Sequence, residues 1–272
     1  MGKWAKSLFG QESFESVGLV LAGASGELFE KRVLGLFDRV VSSKDSVYHG
    51  HLVEKKRKQY PLVCNVYGAP AMLDVLTEMH DGGCRNVVFI GSAYGGYRKN
   101  LGVGSITIPN KAYHFDGIYS ALDPTRHSSV PDRKLVSITK KLFDNDEIKY
   151  SVGPNISVPA VTFQLPHANE KYQKLKPLTV EMELASCLSR SADIGVRALG
   201  ILMISDNRSS SIGDETKRKL KHDAKIKIIT AIIESIELFN LPPLKVKKEF
   251  SVDNHLASII EDPEDVTNVY RK

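Results

Sequence analysis

Short apolar runs separated by glycine turns set the rhythm of this chain. The run Val17–Ala22 stops at Gly23-Ala24-Ser25-Gly26, which predicts a buried strand entering a tight turn, with a helix over 27–41. A second run, Tyr60–Tyr67, precedes Gly68, and a helical pattern from Ala71 to Met79 sets Leu73, Leu76 and Met79 on one side. Asn86–Gly91 reads as another strand, opening into Ser92-Ala93-Tyr94-Gly95-Gly96, and Gly104–Pro109 as a further one, followed by an ordered polar and aromatic loop over 110–124. Pro154 and Pro159 interrupt Gly153–Phe163, which predicts an edge strand or a connection at the active site. Val180–Ala192 reads as a helix, Ala198–Ile204 as a strand, and Lys217–Phe239 as a last helix with Ile226, Ile229, Ile233 and Ile236 near one face. Alternation of strand, glycine turn and helix predicts an α/β fold, and no internal repeat is visible.

With 272 residues, the chain is long enough for one large domain, taken as 1–272 with its core over about 17–240 and a peripheral tail over 245–272. Hydrophobic residues make up 42% and charged ones 25%, and no apolar run approaches the roughly 18 residues a membrane span needs. The first residues carry lysines but no sustained apolar stretch, so no secretory signal is read and a cytoplasmic protein is expected. Cys64, Cys84 and Cys187 lie far apart, which predicts structural thiols. The net charge of +5 is spread among acids; the basic runs over 54–58 and 217–221 read as solvated faces, so no nucleic acid polymer is expected, although an anionic small molecule would suit the charge. His49 and His51 share a strand face, but no partner Cys, Asp or Glu cluster adjoins them, so no metal is expected. The glycines do not fit a dinucleotide fingerprint, so no cofactor is expected either.

The carboxyl-bearing segments Val180-Glu181-Met182-Glu183 and Ser205-Asp206 are candidates for chemistry, and one reaction that uses such a pair is cleavage of an N-glycosidic bond, which makes the sugar cationic and leaves negative charge on the departing base. It therefore calls for acceptors on the ribose hydroxyls and an acid near the base. Glu183 suits the first task and Asp206 the second. Taken alone, the same residues read more readily as a glutamate complementing a helix dipole and an aspartate capping the end of a strand.

Together, Val180-Glu181-Met182-Glu183 and the stretch 195–206 ending in Ser205-Asp206 resemble the nucleoside phosphorylase and nucleosidase superfamily. The resemblance extends to 89–96 and 102–109, which look like that family's glycine-rich loop and the strand after it, and to Gly23–Gly26 at its phosphate loop. It implies a three-layer α/β/α fold with a central mixed sheet, and a homo-oligomer whose sites are completed across subunits. It further implies that Glu183 holds the ribose hydroxyls, with Met182 against the sugar and Glu181 beside it, and that Asp206 protonates a purine. Ser92 and the Gly23 amide would contact phosphate or ribose, and Phe163 would stack on the base.

Two departures qualify the resemblance. Where the phosphorylases place two arginines that grip phosphate, this chain has Glu27 and Phe89. A glutamate aimed at phosphate would be repulsive by roughly 4 kcal/mol at about 4 Å and an effective dielectric near 20. The expectation therefore leans slightly to hydrolysis of a purine nucleoside or nucleotide, in the manner of AMP nucleosidase. The alternatives are a purine nucleoside or uridine phosphorylase with inorganic phosphate as co-substrate, in which Arg98 or Arg208 supplies the charge and the run 217–221 contains the basic residue that orients the acid, and a nucleoside-binding protein without turnover.

Overall fold

The structure, a computed structural model, describes residues 3–23, 26–45, 47–95, 101–164, 172, 174–211 and 213–244. The expected tail over 245–272 lies outside the described residues. Among the described residues, ten strands join one mixed sheet: β1 (Val17–Ala22), β2 (Arg39–Asp45), β3 (His49–Lys55), β4 (Lys58–Val66), β5 (Asn86–Tyr94), β6 (Ile106–His114), β7 (Ser128–Ser129), β8 (Tyr150–Ser157), β9 (Thr179–Glu181) and β10 (Arg197–Asp206). The helices are α1 (Lys3–Phe9), α2 (Glu27–Leu34), α3 (Ala69–Asp81), α4 (Ile118–Leu122), α5 (Arg133–Asn145), α6 (Leu184–Asp193) and α7 (Arg218–Glu234).

Side chains alternate across a strand, so a strand that is apolar throughout feeds two cores. In β1, Val17, Leu19 and Leu21 join a core that includes Phe29 and Val33 of α2, Leu135 of α5 and Ile229 of α7; Val20 and Ala22 join the other, with Met72 of α3 and Leu188 of α6. Strands β5 and β10 divide in the same way. The result is the expected three-layer α/β/α arrangement around a mixed sheet.

The sheet runs β10-β6-β8-β9-β5-β1-β4-β3-β2, and β5 also pairs with β10. Strands β5, β10, β6, β8 and β9 thereby close into a ring. Strand β8 accordingly sits inside the sheet between β6 and β9 and not at an edge as its prolines predict. Its Pro154 is tolerated because the register slips opposite it, between Pro109 and Lys111 of β6.

Two predicted helices shorten. After α2 the chain turns at Gly35, and Arg39–Asp45 becomes β2, where β-branched Val40 and Val41 suit a strand. Val180 and Glu181 belong to β9, and α6 starts only at Leu184, so the Val-Glu-Met-Glu segment straddles a strand–helix junction. The loop expected over 110–124 is in part the continuation of β6 to His114, then α4. Among the described residues, no helix is long and apolar enough to cross a membrane.

Candidate active site

The mutually parallel strands β1, β4, β5 and β10 end on one side of the sheet, and their carboxyl ends border a cavity of about 430 Å³. Ligands of open α/β sheets commonly bind at such an edge. Gly23 follows β1, Tyr67 follows β4, Ser92 lies near the end of β5 and Ser205 near that of β10, and all four line the cavity. Glu181, Met182 and Glu183 close it from the junction of β9 with α6, and Lys221, His222 and Lys225 from α7.

Both Glu181 oxygens are taken by the protein. Oε1 accepts from Asn155 Nδ2 at 2.7 Å and from the Ser157 hydroxyl, while Oε2 accepts from the backbone N–H groups of Glu183 and Leu184, each at 2.7 Å. Glu181 thus caps α6 from two residues upstream, using the orphan amides that any helix start exposes. Its task is to position the next glutamate. Glu183 in turn accepts the Gly68 N–H at 2.7 Å through Oε1. Gly68 has φ of 83°, a left-handed backbone that glycine adopts without strain, and this aims its amide at the carboxyl. Burial, and then the neighbouring Glu181 charge, push the Glu183 carboxyl up from 4.5 to about 8. Glu181 is also raised by burial, but its four donors favour the carboxylate, so Glu183 is the member of the pair that holds a proton.

Asp206 lies beyond the end of this cavity, in an adjoining one of about 520 Å³ that also includes Tyr94, Thr162 and Arg208. Val161 and Gln164 form part of both walls. Burial raises the Asp206 carboxyl, opposed by the Ser205 hydroxyl, which donates to Oδ1 at 2.6 Å, and by the charge of Lys221. The Ser-Asp pair therefore holds a desolvated acid with a cation near it.

The profile of the Phosphorylase superfamily matches residues 23–236, most of the chain. The chain belongs to the phosphorylase superfamily. It is similar to two proteins named purine nucleoside phosphorylase DeoD-type 2. That of Vibrio parahaemolyticus is 29% identical over 185 residues, 65% of this chain and 77% of the relative. That of Vibrio cholerae is 28% identical over 155 residues, 55% of this chain and 65% of the relative.

In this superfamily member, cations on the cavity wall come from α7, whose basic start sequence reasoning read as a solvated face. Lys221 and Lys225, one turn apart on α7, are both buried. Lys225 Nζ donates to the Ala22 carbonyl at 3.1 Å and lies 5.5 Å from the centre of the Phe29 ring. Burial lowers its ammonium from 10.5 to about 8, against the opposing pull of Cys64 and Glu183. The run over 217–221 is thus only partly the solvated face expected of it. The legible signal was the i, i+4 spacing of Lys221 and Lys225 among the isoleucines of a buried helix.

The feared repulsion is also absent from the cavity wall. Glu27 is exposed and accepts from Lys31 at 2.6 Å, one helical turn away, while Phe89 is buried in the core. Gly23 lines the cavity, yet its N–H donates to the Val66 carbonyl at 2.8 Å, so its contribution is the turn itself, at φ of 84°, and not an amide for an anion. Phe163 is 48% exposed and lines neither cavity. It belongs to a short 3₁₀ turn, Val161–Phe163, whose three-residue period puts Val161 and Gln164 on the inner side instead. Arg208 borders the Asp206 cavity, and Arg98 lies outside the described residues. The expectation that no Cys, Asp or Glu adjoins His49 and His51 is overturned: Glu30 of α2 touches both, and Cys64 of β4 lies beside His51.

Proposed function

We propose that this protein cleaves the N-glycosidic bond of a purine nucleoside with inorganic phosphate as the nucleophile. The observation that carries this reading is the pair of buried lysines, Lys221 and Lys225, on the wall that also holds Gly23, Gly26 and Ser92. The Lys225 ammonium, whose pKa burial lowers, is costly to keep charged unless an anion joins it, and phosphate answers that need. The names of the two relatives support the same choice, and with it the slight lean toward hydrolysis gives way.

In this reading the sugar lies against Met182, and Glu183 accepts from its hydroxyls. The base occupies the adjoining cavity. A phosphate oxygen forms the new bond to the anomeric carbon as the bond to the base breaks. The electron pair goes to the base, and Asp206 supplies the proton that leaves it neutral. Glu183, as carboxylate, favours the positive charge that develops on the sugar. The ribose hydroxyls that donate to Glu183 favour its carboxylate, so its proton is released to solvent as substrate binds, before positive charge develops on the ring. Tyr67 lines the cavity while 55% exposed, and a second copy of the chain would complete the site there.

The test is base release from a panel of purine and pyrimidine nucleosides and nucleotides, with and without phosphate. Phosphate-dependent release of a purine supports the proposal. Equal release without phosphate supports hydrolysis, and binding without release supports a module that only recognises nucleosides.

A further inference from the structure

Behind the phosphate-side wall, four side chains of metal-binding type converge from three elements. Glu30 comes from α2, His49 and His51 from β3, and Cys64 from β4, where it pairs with His49 in register. One ligand atom from each of Glu30, His51 and Cys64 lies within 4.8 Å of the others, and all three residues are buried. His51 Nε2 is 2.9 Å from Glu30 Oε1, and His49 Nδ1 is 2.8 Å from Glu30 Oε2. The far side of His51 is fixed as well: the Ser43 hydroxyl of β2 lies 2.8 Å from Nδ1. Ser43 and His49 thus stand outside the three donors and orient two of them, an arrangement that usually supports metal ligands.

The thiol marks the cluster as more than a hydrogen-bonded network. Cys84 donates to the carbonyls of Asn86 and Ser16, whereas among the described residues Cys64 Sγ has no hydrogen-bond partner. A buried thiol that points at an imidazole and a carboxylate without bonding either is poorly used as a polar group and well placed as a soft ligand.

We propose that Glu30, His51 and Cys64 bind a divalent transition metal, zinc by the mixture of sulfur, nitrogen and oxygen donors, and that this metal pins α2 to the β3–β4 hairpin. Zinc bonds of about 2.0–2.3 Å place neighbouring ligands of a tetrahedron roughly 3.3–3.7 Å apart, so the three groups need only small side-chain rotations to enclose an ion. One carboxylate and one thiolate balance the two charges of the metal. His49, half-buried at the outer end of the cluster, leaves a path by which the ion enters. The helix so held begins beside Gly26, which lines the main cavity, so the ion would brace the glycine turn from behind. This inference stands independently of the glycosidic reading.

The experiment uses the full chain, purified without a metal-affinity step, stripped with a chelator and titrated with Co²⁺ and then Zn²⁺. The expected result is one equivalent bound, with the intense near-ultraviolet absorption of a cobalt–thiolate bond and the visible bands of a tetrahedral ion. Cys64→Ser should abolish the charge-transfer band, Cys84→Ser should leave it, and Zn²⁺ should raise the thermal midpoint of the stripped protein by several degrees. Absence of a bound equivalent in the wild-type chain overturns the proposal, as does a cobalt–thiolate band that survives Cys64→Ser.

Discussion

The Gly68 backbone N–H donates to Glu183 Oε1 at 2.7 Å and so joins the start of α3 to the start of α6 beside the cavity. The bond fixes a buried carboxyl at the point where the sugar hydroxyls are expected. Since it reads the oxygen alone, Glu183→Gln keeps the contact and removes the charge. We expect that variant to lose at least about 100-fold in kcat/KM for a nucleoside, with both KM and kcat affected, because ribose recognition and charge stabilisation are lost together. Steady-state kinetics on the two proteins checks it, and unchanged activity would remove Glu183 from the site.

The same substitution carries a stability prediction with a definite sign. The Glu183 value is raised by folding from 4.5 to about 8, so its stabilising contribution is complete below about 4.5 and is lost as pH rises through about 8. The glutamine variant has no such loss. Its stability relative to the wild-type chain should therefore improve between pH 5 and pH 9, by something on the order of 2–4 kcal/mol at about 1.4 kcal/mol per pKa unit. Urea denaturation at the two pH values reads the difference, and parallel curves would contradict the assigned proton.

Substitution of Glu181 should instead destabilise the protein. Its two oxygens face four donors, so Glu181→Gln sets an amide N–H group against groups that also donate. A loss of about 2–3 kcal/mol is expected at neutral pH, together with reduced activity through a displaced Glu183. Denaturant unfolding measures it. A fully stable variant would mean that the cap does not hold α6.

Much of this site was legible because its residues are adjacent in sequence. Ser205-Asp206 sits where a strand ends, and strand ends are what apolar runs reveal, whereas Val180–Glu183 was read as helix and was legible only through the family resemblance. The division of labour within the segment was not legible, because Asn155 and Ser157, which occupy one Glu181 oxygen, arrive from a strand whose prolines disguise it. The strand ring was hidden for a related reason: closure depends on the pairing of Tyr94 with Val180 and of Met203 with Ile106, which no local pattern specifies. Helix α5 was overlooked although Asp132 caps it, its side chain accepting from Lys134 and Leu135. Lys225 was missed because a buried lysine contradicts the usual solvation of its charge, and tertiary packing alone shows where it goes.

Asp206→Asn keeps the volume and the Ser205 contact but cannot supply a proton. Release of purine should fall by about 10²–10⁴-fold, the usual contribution of a general acid, while equilibrium binding of the nucleoside changes little. Rapid-quench measurement of free base separates the two effects. Turnover equal to the wild-type rate would exclude the aspartate as the acid.

Lys225 gives the phosphate reading its own pH dependence. Burial brings the ammonium down to about 8, so in the free enzyme the charge is present below that pH and lost above it. The KM for phosphate should rise as pH passes through about 8, and Lys225→Met should raise it at least about 10-fold at pH 7 while leaving nucleoside binding nearly unchanged. Initial rates with phosphate varied at fixed nucleoside read both effects. A phosphate KM indifferent to pH and to the substitution would detach Lys225 from the nucleophile.

The central claim concerns what attacks the sugar, and the sugar product reports it directly. Incubation of the protein with a purine nucleoside and inorganic phosphate, followed by phosphorus NMR, should reveal a new sugar 1-phosphate resonance growing in step with free base. Free base accompanied by unphosphorylated ribose, with the phosphate resonance unchanged, would contradict the account.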